Sequence, residues 1–190
     1  MNKNHRRCVV GFKIGQKVVY PNHGIGIIEQ IEQKQIGSTT LPFYTLRLAA
    51  TNSVVLVPVD NAREVGLRSP ITAAEGELLM KNLADDFNSP PADWKDRFKE
   101  FSEKMRTGDI FAVAEVLKTL TYLSHFKPLS FREQRMLERA RYLVISELSA
   151  VCRKPECDIV ARVDQALAAA CAKHARRTTR ARSAGANAGH

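Results

Sequence analysis

Long hydrophobic runs are missing from this sequence of 190 residues. No apolar stretch approaches the roughly 18 residues that a membrane-spanning helix needs. The basic N-terminal segment offers only Cys8-Val9-Val10 before Lys13, which is too short for the apolar centre of a signal peptide. We therefore expect a cytoplasmic protein that has no membrane partner.

Recognisable catalytic and metal-binding motifs are also missing. None of the five histidines lies in a metal-ligand pattern, and Gly24-Ile25-Gly26 lacks the third glycine of a dinucleotide-binding loop. Cys152 and Cys157 do not have the spacing of a common zinc ribbon, and reduced structural thiols compete here with a redox or metal role. We predict a protein that is not an enzyme, with no cofactor, no metal and no small-molecule substrate.

The sequence has an excess of positive charge, with 29 Lys and Arg against 20 Asp and Glu. This excess lies in residues 1–70 and 151–190, whereas residues 71–150 hold 12 basic and 13 acidic residues. A nucleic-acid surface in the middle region would therefore require basic side chains to gather on one face.

Residues 12–68 have the pattern of a β domain. Short runs rich in β-branched and aromatic residues are separated by turn sequences such as Pro21-Asn22-His23-Gly24. Their spacing of about ten residues predicts a small barrel or a curled antiparallel sheet. Pro58 places the fourth run at an edge or a strand end, because proline has no N–H to donate to a ladder.

Residues 72–172 have the pattern of about five helices. Thr72-x-x-Glu75 and Ser130-x-x-Glu133 are capping-box signatures. We therefore predict an α+β protein, with a β domain followed by a helical bundle. Residues 1–11 form an N-terminal extension, and residues 173–190 are predicted to be a disordered basic tail because they have little to bury.

The single tryptophan admits two interpretations. The spacing of Trp94, Phe98, Phe101 and Met105 predicts one apolar helix face, which would place the indole in the core. Alternatively, Lys95, Arg97 and Lys99 could anchor phosphates while the indole contacts base edges or a kinked step.

A second basic feature lies on the helix that begins after Ser130. Arg132, Arg135 and Arg139 follow one another at intervals of three and four, which places them in one stripe. The stripe is either a solvated face or a surface that follows a phosphate backbone.

Three segments resemble a known family. Residues 12–24 (FKIGQKVVYPNHG) resemble the opening of CarD and CdnL regulators, and are similar to the polymerase-interacting domain of transcription-repair coupling factors. Residues 94–99 (WKDRFK) and 135–141 (RMLERAR) resemble the helical domain of CarD proteins. Because the resemblance covers both modules in order, it favours the CarD family over the coupling factors.

The resemblance implies a Tudor-like β domain that binds the β subunit of bacterial RNA polymerase. It also implies a helical domain that contacts promoter DNA at the upstream edge of the bubble, with Trp94 in the minor groove. Arg97 and Lys99 match basic positions of the family, whereas Asp96 departs from them. We predict a monomeric transcription regulator that stabilises the open complex; the alternative is a polymerase-docking adaptor whose helical domain binds another protein.

The resemblance places polymerase contacts at Lys34 and Leu56. Because Leu56 is apolar, the docking surface is expected to include Val55 and Pro58 on the same edge strand. Val55 and Leu56 alternate along the strand, so one faces the core and the other faces outward, and at most some of these residues touch the partner.

Overall fold

A computed structural model describes residues 11–91 and 93–187, with side chains through residue 180. The chain divides into two compact units, residues 1–69 and residues 70–190. The first unit is a sheet and the second a set of helices, which confirms the predicted α+β class. Apart from Gly11, the predicted N-terminal extension lies outside the described residues.

The first unit is a four-stranded antiparallel sheet in the order β1-β2-β3-β4. The strands are β1 (Lys17–Tyr20), β2 (Gly24–Ile36), β3 (Thr39–Leu48) and β4 (Val54–Pro58), followed by a 3-10 turn (Val59–Asn61). A shift of register between Ile28 and Gln30 interrupts the pairing of β2 with β3, and such a bulge increases the bend and twist of a sheet. The core of this unit consists of Phe12, Val18, Ile28, Tyr44, Leu46, Val57, Ala62 and Leu67.

The second unit contains five helices among the residues that the structure describes. They are α1 (Ala73–Leu83), α2 (Trp94–Thr107), α3 (Ile110–Ser124), α4 (Phe131–Cys152) and α5 (Glu156–Asn187). Both predicted capping boxes are present, at Thr72 before α1 and at Ser130 before α4. Helix α3 packs against the other four helices and buries Val116, Leu117 and Leu120 completely.

The C-terminal part of α5 corrects one prediction. Residues 173–187, predicted to belong to a disordered basic tail, continue the helix, and residues 188–190 lie outside the described residues. The physical reason is His174, which is only 1% exposed and gives this basic segment a side chain to bury. Over the described part of the chain, no helix combines the length and apolar character that crossing a bilayer requires.

Candidate functional site

Trp94 opens helix α2 and faces solvent. Asp93 caps the helix, because its Oδ1 accepts a hydrogen bond from the backbone N–H of Lys95 at 2.6 Å. Trp94 is 55% exposed, and the ammonium group of Lys95 lies 5.9 Å from the centroid of the indole. Phe101 and Met105 are buried. The core interpretation of Trp94 therefore does not hold, and the indole is accessible to a ligand.

Arg97, predicted to contact DNA, lies in the interior and is only 3% exposed. Its guanidinium donates hydrogen bonds to Glu133 from Nε at 3.2 Å and from Nη2 at 2.8 Å. A third bond runs from Nη1 to the Pro91 carbonyl at 3.0 Å. A direct contact from Arg97 to a phosphate is not possible in this arrangement, and the residue instead positions the start of α2.

Glu133 joins α2 to the first turn of α4. Its Oε1 accepts both bonds from Arg97, and its Oε2 accepts from the Ser130 N–H at 3.0 Å and from the Ser130 hydroxyl at 2.8 Å. Burial raises the pKa of Glu133, but the hydrogen bonds from Arg97 and Ser130 outweigh burial, so the pKa lies below its ordinary value. The ionised carboxylate thus fixes the beginning of one helix against the beginning of the other.

The remaining predicted DNA contacts lie on the surface of the helical unit. These exposed residues are Lys95, Lys99, Arg132, Arg135 and Arg139. The guanidinium carbon of Arg132 lies 5.8 Å from the centroid of the Phe98 ring, and that of Arg135 lies 5.7 Å from the centroid of Phe131. The predicted stripe on α4 is therefore exposed, and two of its three members lie over aromatic rings.

Phe131, which was not predicted as a site residue, is 76% exposed and is the first residue of α4. A signal for it was present, because an aromatic residue directly after the Ser130 cap lies outside the apolar stripe of that helix. A single exposed phenylalanine is normal on a protein surface, and it becomes a candidate for contact with a ligand only as part of a larger apolar patch.

Leu56 and Lys34 share one face of the sheet in the β unit. Leu56 pairs with Thr45 of β3, and the Thr45 hydroxyl donates a hydrogen bond to Glu32 of β2 at 3.0 Å. The Lys34 ammonium lies 3.3 Å from the same Glu32 carboxylate. Leu56 is 43% exposed. Apolar Leu56 and cationic Lys34 therefore lie on either side of the polar pair Thr45 and Glu32 on this face.

Val55 and Pro58 differ from Leu56 in what they offer to a partner. Val55 packs against the core of the unit, so its side chain faces inward, as the alternation allowed. Pro58 ends β4 on the face of Leu56 and is half-buried. Because β4 is the last strand in the described sheet, Leu56 and Pro58 lie at its edge.

An aromatic and ionic cluster attaches α5 to the connection between α1 and α2. The imidazole of His174 stacks on the Phe87 ring, with 4.2 Å between centroids and 7° between planes. The Nδ1 of His174 lies 2.9 Å from Oδ1 of Asp86, and Nε of Arg177 lies 2.8 Å from Oδ2 of the same carboxylate. Since the connection leads to α2, the cluster restrains the segment that precedes Trp94.

Replacing His174 by alanine is expected to lower the free energy of unfolding by about 2 kcal/mol, because a buried stack and its hydrogen bonds are lost. Urea denaturation followed by circular dichroism measures this. Arg176→Ala, at an exposed position of the same helix, is the control and should stay within about 0.5 kcal/mol of the wild type. Equal stability of the two variants would show that the cluster contributes nothing.

Comparison with known proteins agrees with this architecture. Residues 12–71 match the CarD-like/TRCF RID domain, and residues 78–164 match the CarD C-terminal domain. The chain therefore belongs to the CarD family of transcription factors, and its β unit is an RNA polymerase-interacting domain.

A relative in Bacillus subtilis (strain 168) carries the name "Putative transcription factor YdeB". It is 34% identical to this chain over 144 residues, which are 74% of this chain and 92% of the relative. The suggested resemblance to CarD and CdnL regulators is thus confirmed, and the family is one of transcription factors rather than a class of enzymes.

Proposed function

We propose that this protein binds the β subunit of RNA polymerase and the upstream edge of the promoter bubble, and thereby stabilises the open complex. In this proposal it acts as a cytoplasmic monomer. The observation that carries it is the exposure of Trp94 at the start of α2, beside Lys95 and one helical turn before Phe98, over which Arg132 of α4 lies. A flat, accessible ring among cations suits a distorted minor groove.

The contacts with polymerase are assigned to the outer face of the β unit. Leu56 supplies an apolar contact and Lys34 a cationic one, with Pro58 at the end of the same strand. Val55 takes part only through its backbone, since its side chain packs against the core. An edge strand offers unpaired backbone groups to a partner as well as side chains.

The mechanism is a shift of an equilibrium. A ligand that binds the open form better than the closed form shifts promoter opening by its differential affinity and by no more. Attachment to polymerase raises the local concentration of the helical unit near the promoter, so that weak DNA contacts become sufficient. Trp94 supplies the difference in affinity between the open and the closed form, because a ring inserted at a base step favours DNA that is already partly unstacked.

The test is the lifetime of the open promoter complex, measured with RNA polymerase alone, with the wild-type protein and with Leu56→Glu. We expect the wild type to lengthen the lifetime and the variant to have no effect, since a carboxylate in an apolar contact is costly to bury. Ile14→Glu is the control, because it makes the same change at a side chain that is 63% exposed outside the strands.

Two outcomes would contradict the proposal. If the wild type bound polymerase without changing the lifetime, the docking adaptor would be favoured and the helical unit would bind protein. If Leu56→Glu acted like the wild type, the outer face of β4 would not be the polymerase contact.

A further inference from the structure

We propose that the helical unit binds single-stranded DNA on a surface formed by α2 and the first turns of α4, with Phe131 stacking on an unpaired base. This surface, called here the aromatic surface, consists of Trp94, Lys95, Phe98, Phe131, Arg132 and Arg135. The inference rests on the proposed function, because it specifies which form of promoter DNA the helical unit recognises.

The first observation is a repeated pairing of a cation with an aromatic ring. Lys95 lies 5.9 Å from the centroid of Trp94, Arg132 lies 5.8 Å from that of Phe98, and Arg135 lies 5.7 Å from that of Phe131. Surfaces that bind single strands combine rings, on which bases stack, with cations that follow the phosphates. All three pairs lie on two helices that the fold brings together.

The second observation is a contact that joins the two helices within the aromatic surface. Trp94 and Phe98 are four residues apart and lie on one side of α2. Arg132, at the start of α4, reaches the Phe98 ring, and its neighbour Phe131 lies one turn from Arg135. The buried pair of Arg97 and Glu133 holds the two helix ends in this relation, so the aromatic surface is formed before any ligand arrives.

The third observation is the exposure of Phe131. At 76%, it is the largest exposed fraction among the large hydrophobic side chains described. The capping of α4 does not need this ring, because Ser130 and Glu133 already satisfy the cap. Its position beside Arg135 therefore has no explanation in the packing of the unit, whereas stacking on a base would remove the ring from water.

Unpaired DNA suits the aromatic surface better than duplex does. The faces of bases are covered inside a stacked duplex, so a ring reaches them only at a distorted step or where the strands have separated. The cations also favour phosphates over an apolar protein partner. Trp94 at the edge of the bubble and Phe131 on the released strand would then contact adjacent parts of the same melted promoter.

The experiment measures binding of the full-length protein to labelled single-stranded oligothymidine and to a duplex of the same length, by fluorescence anisotropy. We expect Phe131→Ala to bind the single strand about tenfold more weakly, as loss of one stacked base implies, and the duplex as the wild type does. Phe131→Trp should restore the affinity, because it also presents a flat ring.

Phe126→Ala is the matched control. This phenylalanine is 67% exposed, and its ring contacts Tyr122 at 4.7 Å between centroids. The variant removes the same group at similar exposure and should leave affinity for the single strand unchanged. In addition, Arg132→Gln and Arg135→Gln should each reduce the slope of log affinity against log salt by about 0.7, one phosphate contact each.

The inference would be overturned if the wild type did not bind the single strand, or if Phe131→Ala bound it as tightly as the wild type. Loss of polymerase binding by Phe131→Ala, with unchanged affinity for the single strand, would overturn it in favour of a protein contact. Leu56→Glu, in the other unit, should keep full affinity for the single strand, so failure of polymerase docking and failure of this inference are distinguishable.

Discussion

Trp94→Ala should keep its fold and its affinity for polymerase, yet shorten the open-complex lifetime about tenfold, most of the way to the value without the protein. Tenfold corresponds to about 1.4 kcal/mol, which lies within what partial unstacking of a base step costs. The fold should survive, because Trp94 is 55% exposed and contributes little to the core.

The control for Trp94 is Trp94→Phe, which keeps a flat apolar ring and should retain part of the effect. Affinity for polymerase, measured separately, establishes that each variant still reaches the promoter. Since the sequence has one tryptophan, a change of its fluorescence on adding promoter DNA in the absence of polymerase reports contact of the indole with DNA. If Trp94→Ala stabilised the bubble as well as the wild type, the proposed insertion of the indole would be wrong.

The second large effect is on folding. Arg97→Ala should lower the free energy of unfolding of the helical unit by about 3–5 kcal/mol, because it leaves the Glu133 carboxylate buried without its cation. A surface arginine would cost about 0.5 kcal/mol or less. Urea denaturation of Arg97→Ala beside Arg132→Ala compares a buried arginine with an exposed one in the same unit.

A double variant separates the effect of the unpaired charge from the effect of the lost side-chain volume. Arg97→Met combined with Glu133→Leu should recover much of the loss, because replacing both members of a buried pair by apolar groups is often close to neutral. The Ser130 hydroxyl would still accept from the N–H of residue 133, but the bonds from Ser130 to the carboxylate would be lost, at a cost of about 1 kcal/mol. A loss below about 1 kcal/mol for Arg97→Ala alone would mean that the pair is not buried in solution.

The parts of the structure that could be predicted from sequence are those that short-range chemistry determines. The capping boxes at Thr72 and Ser130 were predicted because, in any context, the hydroxyl accepts from the N–H of the residue three positions on, whose carboxylate accepts from the N–H of the cap residue. The alternation in β4 separated Val55 from Leu56 for a similar reason, since neighbouring side chains on a strand point in opposite directions.

The inward position of Arg97 could not be predicted from its charge. Arg97, Phe101 and Met105 are spaced by four and form the buried stripe of α2, whereas the apolar pattern suggested a stripe that begins at Trp94. Deciding between the two stripes requires knowing that Glu133, on another helix, supplies the compensating charge. Long-range pairs of this kind leave no local signal, although the spacing of four was visible.

The basic end of α5 was missed because composition does not report the partner of a side chain. His174 stacks on Phe87, a residue far away in sequence. This contact orders a segment whose composition alone predicts a solvated tail. Phe131 is a different case, because its position outside the apolar stripe of α4 was visible in the sequence and its exposure agrees with that position.

The cluster around His174 also shows how far along α5 the folded helical unit extends. The match to the CarD C-terminal domain stops at residue 164, but α5 continues beyond it. In this later part, His174 stacks on Phe87 of the connection that leads to α2. Lys173 and Arg177 form ion pairs with Asp85 and Asp86 of the same connection. A fragment that keeps these contacts is therefore longer than the segment that matches the CarD C-terminal domain. A fragment cut at the family boundary would keep every residue of the proposed DNA surface and lose the side chains that restrain it.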